Sequence, residues 1–363
     1  MSHIRLEGVT KRYGRDLVLA GIDLDIEPDC LTVLTGAPGS GKSVLLRLIV
    51  GLERQDEGRI LVDGADVTEL AAARRRIGYV PQSFALFPHM SVFDNMAYPL
   101  KQQRVSDAEV RRRVTQAAEL LRIGRLLDKR PSELSGGEKQ RAALARGILK
   151  DARIFILDDP LVGLDFKLRE GLMEDLTEMR AQLGATFLYA TADPLEALLM
   201  ADRLAVLDDG RIADANRVDL LYAEPRHLRA AELVGFPRCN TIAGRLEGGM
   251  CATALLNFPL AVEGPAATPD VSVVIRPEHI VFADAAAPPA DARTGVGTVR
   301  LLENLGAEAV VHFAAAGETL VTTAPSHAVA RLGLDAPFPY FVRTEGALVF
   351  DRLSGARVGR GHA

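Results

Sequence analysis

The clearest chemical signal in this sequence is a glycine-rich octapeptide that ends in lysine and serine. Residues 36–43 read Gly-Ala-Pro-Gly-Ser-Gly-Lys-Ser and match the pattern GxxxxGK[ST]. An apolar, β-branched run precedes the octapeptide at 31–35, and a helix-like apolar stretch follows at 44–50. Glycines let backbone N–H groups surround a phosphate, and a helix N-terminus adds positive potential. The octapeptide therefore predicts a nucleoside-triphosphate site, and a glycine-rich turn without a ligand is the weaker alternative.

Three polar side chains have distinct expected roles at this site. Lys42 should reach the β- and γ-phosphates, and Ser43 should hold Mg²⁺. Asp158 ends a second strand-like run, where a buried acid needs a partner such as the Mg²⁺ shell; an exposed acid at a strand end is the alternative. The pattern alone is shared by kinases, GTPases and ATPases. The predicted phosphate contacts are Gly36, Ala37, Pro38, Gly39, Ser40, Gly41, Lys42, Ser43 and Val44.

Strand-like and helix-like stretches alternate over residues 1–235. Residues 31–35, 153–157 and 186–190 have the composition of buried strands, and intervening helices predict a parallel sheet covered on both faces. Between residues 82 and 150 the pattern is mainly helical, with Ser91 and Ser106 as candidate N-caps. The first domain is therefore expected to be α/β with a helical subdomain at 82–150.

Residues 236–363 have a different texture, rich in Gly, Ala and Pro. Short strands are predicted at 271–275, 298–302 and 309–313, and a low-complexity loop at 285–290. Several short strands separated by turns predict a small barrel. The boundary between the two domains is placed after residue 235.

Composition excludes several classes of protein. A chain of 363 residues should have two or three domains, and a net charge of -5 argues against a nucleic-acid partner. The three cysteines have no CxxC spacing, which argues against a zinc site or disulfide framework. Residues 1–7 lack the apolar core of a signal peptide, and we find no uncharged run long enough to span a bilayer.

Further motifs occur in a fixed order and resemble those of ATPases of the ABC transporter family. Residues 134–141 read Leu-Ser-Gly-Gly-Glu-Lys-Gln-Arg and resemble the signature sequence of that family. Residues 79–82 resemble its Q-loop, residues 162–165 its D-loop, and Tyr13 its adenine-stacking position. The resemblance covers residues 1–235 and implies a P-loop NTPase fold that binds ATP and Mg²⁺. It adds Gln82 to Ser43 and Asp158 as an expected metal ligand.

A second resemblance concerns the C-terminal region and the Q-loop. Residues 275–280, 301–306 and 84–92 are similar to the corresponding segments of ATPases from carbohydrate and polyol importers. It implies an oligonucleotide-fold-like (TOBE) accessory barrel and solutes such as maltose, glycerol-phosphate or glycerol. Phe84 and Phe87 would then face a membrane subunit, although packing inside the helical subdomain is an equal alternative.

The family resemblance also implies a mechanism and partners. Two ATPase subunits pair head to tail, so that one subunit's signature loop contacts ATP held by the other's P-loop. Two transmembrane permeases and a secreted solute-binding protein complete the importer, and the chain would lie peripherally on the cytoplasmic face of the membrane. The residues expected to act on the partner's ATP are Ser135, Gly136, Gly137 and Glu138.

Two positions depart from the family pattern. Asp159 stands where the family has the glutamate that positions water, and Ala192 stands where it has a histidine. One methylene less withdraws the carboxylate by roughly 1.5 Å, and a misplacement of about 1 Å can cost on the order of 10²-fold in rate. Loss of a preorganised donor costs roughly 10²- to 10³-fold, and the two effects need not add. Gln82 remains the third expected catalytic residue. A slipped alignment in which His227 replaces the histidine is the alternative.

These departures lead to a heterodimer hypothesis. The chain would be the degenerate half of an ATPase pair, completing a different subunit's active site with its intact signature loop. A homodimeric importer ATPase that tolerates Asp159 and Ala192 is one alternative, and a non-hydrolysing ATP-dependent regulatory module is another. A soluble repair or translation protein is disfavoured because the chain lacks tandem P-loop cassettes.

Overall fold

The chain forms two compact units. The structure is a computed structural model that describes residues 3–283 and 293–362. The first unit comprises Met1–Val218 and the second Asp219–Ala363. The predicted loop at 285–290 lies outside the described residues.

Within its described residues, the first unit contains ten strands and six α-helices. The strands are β1 (Ile4–Tyr13), β2 (Asp16–Ile26), β3 (Leu31–Thr35), β4 (Glu57–Val62), β5 (Ala65–Asp66), β6 (Ile77–Val80), β7 (Ile154–Asp158), β8 (Thr186–Thr191), β9 (Arg203–Asp208) and β10 (Arg211–Arg217). The helices are α1 (Lys42–Val50), α2 (Val92–Gln102), α3 (Asp107–Leu120), α4 (Gly136–Ile148), α5 (Phe166–Leu183) and α6 (Pro194–Met200). The predicted strands near 31, 153 and 186 are confirmed.

The central sheet of this unit has the order β10-β9-β3-β8-β7-β6. Its pairs are parallel except for the antiparallel pair of β9 and β10, so the predicted parallel core is confirmed. A second, antiparallel sheet has the order β2-β1-β4-β5, which the sequence analysis did not predict. The apolar face of α1 shares one hydrophobic core with both sheets. This arrangement fixes the first turn of α1 at the carboxyl end of β3.

The predicted helical subdomain contains α2, α3 and α4. Ser91 caps α2, because its side chain accepts a hydrogen bond from the Asp94 N–H. Ser106 occupies the N-cap position of α3, but its side chain makes no capping hydrogen bond. The predicted capping hydrogen bond of Ser106 is therefore wrong, although the helix begins at the predicted position.

The second unit is built from strands that pair antiparallel. They are β11 (Asn240–Glu247), β12 (Met250–Thr253), β13 (Asn257–Val262), β14 (Asp270–Ile275), β15 (Ile280–Phe282), β16 (Arg293–Asn304), β17 (Glu308–Ala315), β18 (Glu318–Pro325), β19 (Pro337–Val342), β20 (Ala347–Asp351) and β21 (Arg357–Gly361). A closed barrel has the order β11-β12-β13-β21-β20-β14, which confirms the predicted barrel. The other five strands form a sheet in the order β15-β19-β16-β17-β18.

Short helices complete the second unit, namely α7 (Val218–Ala223), α8 (Leu228–Leu233) and α9 (Ser326–Val329). Ala231 of α8 packs with Val274, Leu348 and Phe350 of the barrel, which explains why residues 219–235 group with this unit. The division of the structure therefore falls at 218/219, and a functional boundary at 235/236 stays a sequence-based prediction. Among residues 3–283 and 293–362, no helix combines the length and apolarity needed to cross a membrane.

Candidate functional site

The phosphate-binding loop predicted from the sequence connects β3 to α1. Gly36 lies so close to the neighbouring backbone that a Cβ there would sit 2.1 Å from the Leu207 carbonyl oxygen. Gly41 has a φ of 104°, in the left-handed region that glycine occupies without strain. Gly36 is required because a side chain would not fit there, and Gly41 because its left-handed φ would strain other residues. The loop can therefore bring its backbone close to a ligand.

Lys42 begins α1 and is almost buried, with 8% of its surface exposed. Its ammonium donates hydrogen bonds to the Gly36 carbonyl (2.7 Å) and the Ala37 carbonyl (3.1 Å) of the same loop. Burial lowers the pKa of the lysine, and the nearby carboxylates of Asp159 and Asp158 oppose that shift. An ammonium has three donors, so one is available to a phosphate.

Ser43 and Asp158 form the oxygen pair expected for a metal. The Ser43 hydroxyl donates to Asp158 Oδ1 at 2.9 Å, and the Tyr79 hydroxyl donates to Oδ2 at 3.1 Å. Burial, followed by the charge of Asp158, raises the pKa of Tyr79, which keeps this donor protonated. A hydroxyl beside a carboxylate is the kind of oxygen donor set that Mg²⁺ prefers, so these residues fit the metal.

A cavity of about 320 Å³ brings the predicted catalytic and phosphate-binding residues together. The glycine-rich loop, Gln82, Asp158, Asp159 and Ala192 all contribute to its wall although they come from separate parts of the chain. Val18, which the sequence analysis missed, also contributes. The lining residues are Val18, Pro38, Gly39, Gly41, Lys42, Ser43, Val44, Gln82, Asp158, Asp159 and Ala192. The predicted residues Gly36, Ala37, Ser40 and Tyr13 are not among them.

Asp159 directly follows β7 and has an unusual backbone. Its φ is 48°, and its N–H donates to the Ala190 carbonyl at 3.0 Å. Among non-glycine residues, Asp and Asn are enriched in this left-handed region. Burial raises the pKa of the Asp159 carboxyl, Lys42 opposes the shift, and Asp158 adds to it. The short acid is therefore part of a specific local geometry and is held near a cation.

Ala192 follows β8 and adjoins a polar network. Asp193 caps α6 and accepts a hydrogen bond from Arg169 at 2.6 Å. Glu196 accepts hydrogen bonds from Tyr189 (2.7 Å) and Thr191 (2.8 Å). Hydrogen bonds among five polar residues thus order the surroundings of Ala192. The sequence contains a signal for this network, because hydroxyl residues precede Ala192 and acidic residues follow it.

The cavity's described lining contains no histidine. His227, the alternative for a slipped alignment, belongs to the second unit. It caps α8 by accepting from the Arg229 N–H, and its Nε2 lies 3.2 Å from the Ser354 carbonyl. These contacts give His227 a local structural role and leave Ala192 at the position after β8.

Tyr13 ends β1 and keeps 43% of its surface exposed. Its hydroxyl donates to the carboxylate of Glu53. Arg47, in the last turn of α1, donates to the other oxygen of Glu53 at 2.5 Å. The ring is therefore connected to the helix that begins at Lys42, and the sequence analysis missed Glu53 as the connection.

The signature residues lie at the N-terminus of α4, outside the cavity lining. Ser135 caps the helix by accepting from the Glu138 N–H at 3.3 Å, and Glu138 accepts from the Ser135 N–H at 2.9 Å. Gly137 packs against Leu168, where a Cβ would meet Cδ1 at 3.3 Å. Contact of Ser135, Gly136, Gly137 and Glu138 with a second subunit's ATP stays a prediction.

Comparison with known proteins agrees with this geometry. The ABC transporter family model matches residues 19–162, and the TOBE domain model matches residues 273–336. The chain is 37% identical over 360 residues to the sn-glycerol-3-phosphate import ATP-binding protein UgpC of Ruegeria sp. (strain TM1040), covering 99% of each chain. It is 36% identical to the maltose/maltodextrin import ATP-binding protein MalK of Vibrio cholerae serotype O1, covering 86% of this chain and 85% of that protein.

Solved structures resemble the first part of the chain. CbiO1 from Clostridium perfringens, part of the transporter complex cbiONQ, has a TM-score of 0.57 and 30% identity, and covers 61% of this chain and 91% of its own. The dimeric ATP-binding cassette MJ0796 bound to ADP and Pi has a TM-score of 0.55 and 29% identity, and covers 59% and 98%. The similarity to UgpC spans both proteins almost completely. This chain belongs to the ABC transporter family, as an ATP-binding protein with a C-terminal TOBE domain.

Proposed function

We propose that this chain is the ATP-binding subunit of an ABC importer for a sugar or polyol solute. The single observation that carries the proposal is the cavity that unites the glycine-rich loop with Gln82, Asp158 and Asp159. The relatives that match the full chain are named for import of glycerol-3-phosphate, and another for import of maltose. The class of solute we propose is a sugar or polyol, with glycerol and glycerol-phosphate as examples of the polyols.

ATP is the proposed nucleotide and Mg²⁺ the proposed metal. Loop amides and Lys42 hold the β- and γ-phosphates, and Ser43, Asp158 and Gln82 hold the metal. When bound, Mg²⁺ neutralises phosphate charge that develops during transfer. Tyr13 stacks on the adenine, and its bond to Glu53 restricts the ring. Ser135, Gly136, Gly137 and Glu138 contact the ATP of a second subunit.

Transport requires further partners in this proposal. Closure of two ATPase subunits around ATP moves two transmembrane permeases, which receive solute from an extracytoplasmic binding protein. The chain acts peripherally at the cytoplasmic face of the plasma membrane. The Gln82–Ser91 loop is the proposed docking segment. In it Phe84 and Phe87 are half-buried, and Phe87 packs 5.0 Å from the Tyr98 ring, so part of this aromatic surface serves the helical subdomain.

The chain's own site is proposed to hydrolyse ATP slowly. Lys42, Ser43 and Asp158, which are proposed to bind phosphate and metal, have hydrogen-bond partners in place, whereas the side chain of Ala192 in the cavity lining has no polar atom. Losing one preorganised donor to the transition state removes roughly 3–4 kcal/mol of stabilisation. The shorter Asp159 side chain adds a smaller loss within the same constellation.

We further propose that the partner is a different ATPase subunit with a complete Glu and His pair. The capped signature loop of this chain would complete the partner's active site, and the site at Lys42 would hold ATP longer. A homodimeric importer ATPase is the second candidate. It is favoured by the dimeric MJ0796 cassette and by the full-length match to UgpC.

Turnover by the purified full-length chain separates the two candidates. We expect ATP binding by equilibrium dialysis together with ATP hydrolysis at least 10²-fold slower than an active cassette. Turnover by the single chain at the typical enzymatic rate of about 10 s⁻¹ or faster would reject the heterodimer and favour the homodimer. Failure to bind ATP at all would reject the nucleotide site itself.

A further inference from the structure

The segment that follows Gln82 contains two consecutive residues with left-handed backbone. Phe84 has a φ of 61° and Ala85 a φ of 50°. Residues with a Cβ rarely adopt such angles, and strained residues persist only where their surroundings fix them. Something outside the loop must therefore hold this turn.

Arg146, near the C-terminal end of α4, contacts both strained residues. Its guanidinium donates to the Ala85 carbonyl at 2.6 Å and to the Phe84 carbonyl at 2.9 Å. The guanidinium also lies 5.6 Å from the centre of the Phe87 ring, a cation–π distance. Burial lowers the pKa of this arginine. A planar fork with several donors suits two adjacent carbonyls, which a lysine cannot match.

The C-terminal end of α4 also contacts β6, the strand that precedes the Gln82–Ser91 loop. Lys150 donates to the Ile77 carbonyl at 2.6 Å. Gly147 packs so closely on β6 that a Cβ would sit 2.4 Å from the Val80 side chain. With Arg146, these contacts join the end of α4 to β6 and to the turn after Gln82.

A second clamp holds the far side of the loop. Asn95 of α2 is fully buried, and its Oδ1 accepts from the Phe87 N–H at 2.7 Å. Its Nδ2 donates to the carbonyls of Phe87 (3.1 Å), Met90 (3.3 Å) and Ser91 (2.9 Å). The loop is thus fixed by one side chain from α2 and one from α4.

We propose that Arg146 is a positioning residue that makes the Gln82–Ser91 loop move together with α4. The helix has 13 residues, about 20 Å in length, and Ser135 caps its other end. A displacement of the loop would therefore be transmitted along one rigid element to the signature residues, and a displacement of the signature residues would reach Gln82. The role in coupling rests on the proposed function. The clamp, which consists of the contacts of Arg146 with Phe84 and Ala85, does not depend on it.

Hydrogen exchange of the full-length chain, measured by mass spectrometry, tests the clamp without permeases or ATP turnover. We expect Arg146→Ala to speed amide exchange in residues 83–90 by about 100-fold and Arg146→Lys by about tenfold, because charge-assisted hydrogen bonds are lost. The matched control is Arg111→Ala, at an exposed arginine of α3. Exchange in β3 and α1 should stay at the wild-type rate.

A rescue variant separates positioning from a general folding defect. Phe84→Gly accepts the left-handed φ without strain, so adding it to Arg146→Ala should recover about half of the lost protection on a logarithmic scale. Equal exchange in Arg146→Ala and Arg111→Ala would overturn the clamp. So would faster exchange spread evenly over the first unit with no rescue. Hydrogen exchange does not depend on ATP hydrolysis or on transport. A negative result for the clamp can therefore be distinguished from a negative result for the proposed transport function.

Discussion

The two sides of the cavity differ in the polar groups that they offer to a ligand. On the loop side, Lys42 bonds to two carbonyls, and Ser43 and Tyr79 satisfy both oxygens of Asp158. On the opposite side, Asp159 sits in a left-handed backbone, and Ala192 offers no polar atom beyond its backbone. We therefore expect substitutions on the two sides to affect ATP binding and ATP hydrolysis separately.

The ordered surroundings of Ala192 sharpen that contrast. Arg169, Asp193, Glu196 and Tyr189 form hydrogen bonds and ion pairs beside the alanine. The network is not fully paired, because the buried Arg169 Nε lies 3.6 Å from Glu196 Oε1 and makes no hydrogen bond. In the proposed function these residues hold the loop around Ala192 in place while hydrolysis is slow.

The largest expected effect is a gain of activity. Ala192→His should raise ATP turnover of the full chain by roughly 10²- to 10³-fold, because it restores a donor at the γ-phosphate. Adding Asp159→Glu should increase turnover further, but by less than the two single effects combined. Steady-state phosphate release at saturating ATP is the measurement.

The matched control is Ala181→His, at an exposed alanine of α5. It adds an imidazole without placing it in the cavity and should leave turnover unchanged. If wild-type turnover is already fast and Ala192→His leaves it unaltered, the contrast between the two sides is wrong.

The next effect concerns the side that grips phosphate. Lys42→Ala should weaken ATP binding by about 100-fold, since charge-assisted hydrogen bonds to phosphate are lost. Equilibrium binding of ATP with Mg²⁺ measures this change. Lys101→Ala removes an exposed ion pair with Asp94 and should leave ATP affinity unchanged. Unaltered binding in Lys42→Ala would show that the loop is not the phosphate site.

The loop side could be predicted from the sequence because its geometry is local. Residues 36–43 combine strand, turn and helix signals within one short segment, and Gly36 and Gly41 occupy positions that need glycine. The buried strands of the parallel core were predicted from their composition. A small barrel was also predicted, but of its three predicted strands only 271–275 lies in the barrel, whereas 298–302 and 309–313 belong to β16 and β17 of the five-stranded sheet. Long-range contacts such as those of Arg146 could not be predicted. Its hydrogen-bond acceptors are backbone carbonyls 61 and 62 residues away, and every residue type has such a carbonyl.

Other omissions have equally physical reasons. Val18 reads as an ordinary core residue, and only the fold brings it to the cavity. In the antiparallel sheet of the first unit, Gly14-Arg15 and Asp63-Gly64 mark the β1–β2 and β4–β5 hairpins, and these signals were missed. The pairing of β1 with β4 crosses a long intervening segment, so no turn signal marks it. Ser106 has the right residue type for a cap, yet capping depends on a side-chain orientation that the sequence does not specify.

The smallest expected effect separates base recognition from phosphate recognition. Tyr13→Ala should weaken ATP binding by about tenfold, since stacking of a base on an aromatic ring contributes roughly 1–3 kcal/mol. Tyr13→Phe keeps the ring but loses the bond to Glu53, and should change affinity by about twofold at most. Inorganic tripolyphosphate has no base, so its binding should be the same in all three proteins. A loss of tripolyphosphate affinity in Tyr13→Ala would mean that the ring supports the loop at Lys42 rather than the adenine, and the grip would then depend on the Glu53–Arg47 connection to α1.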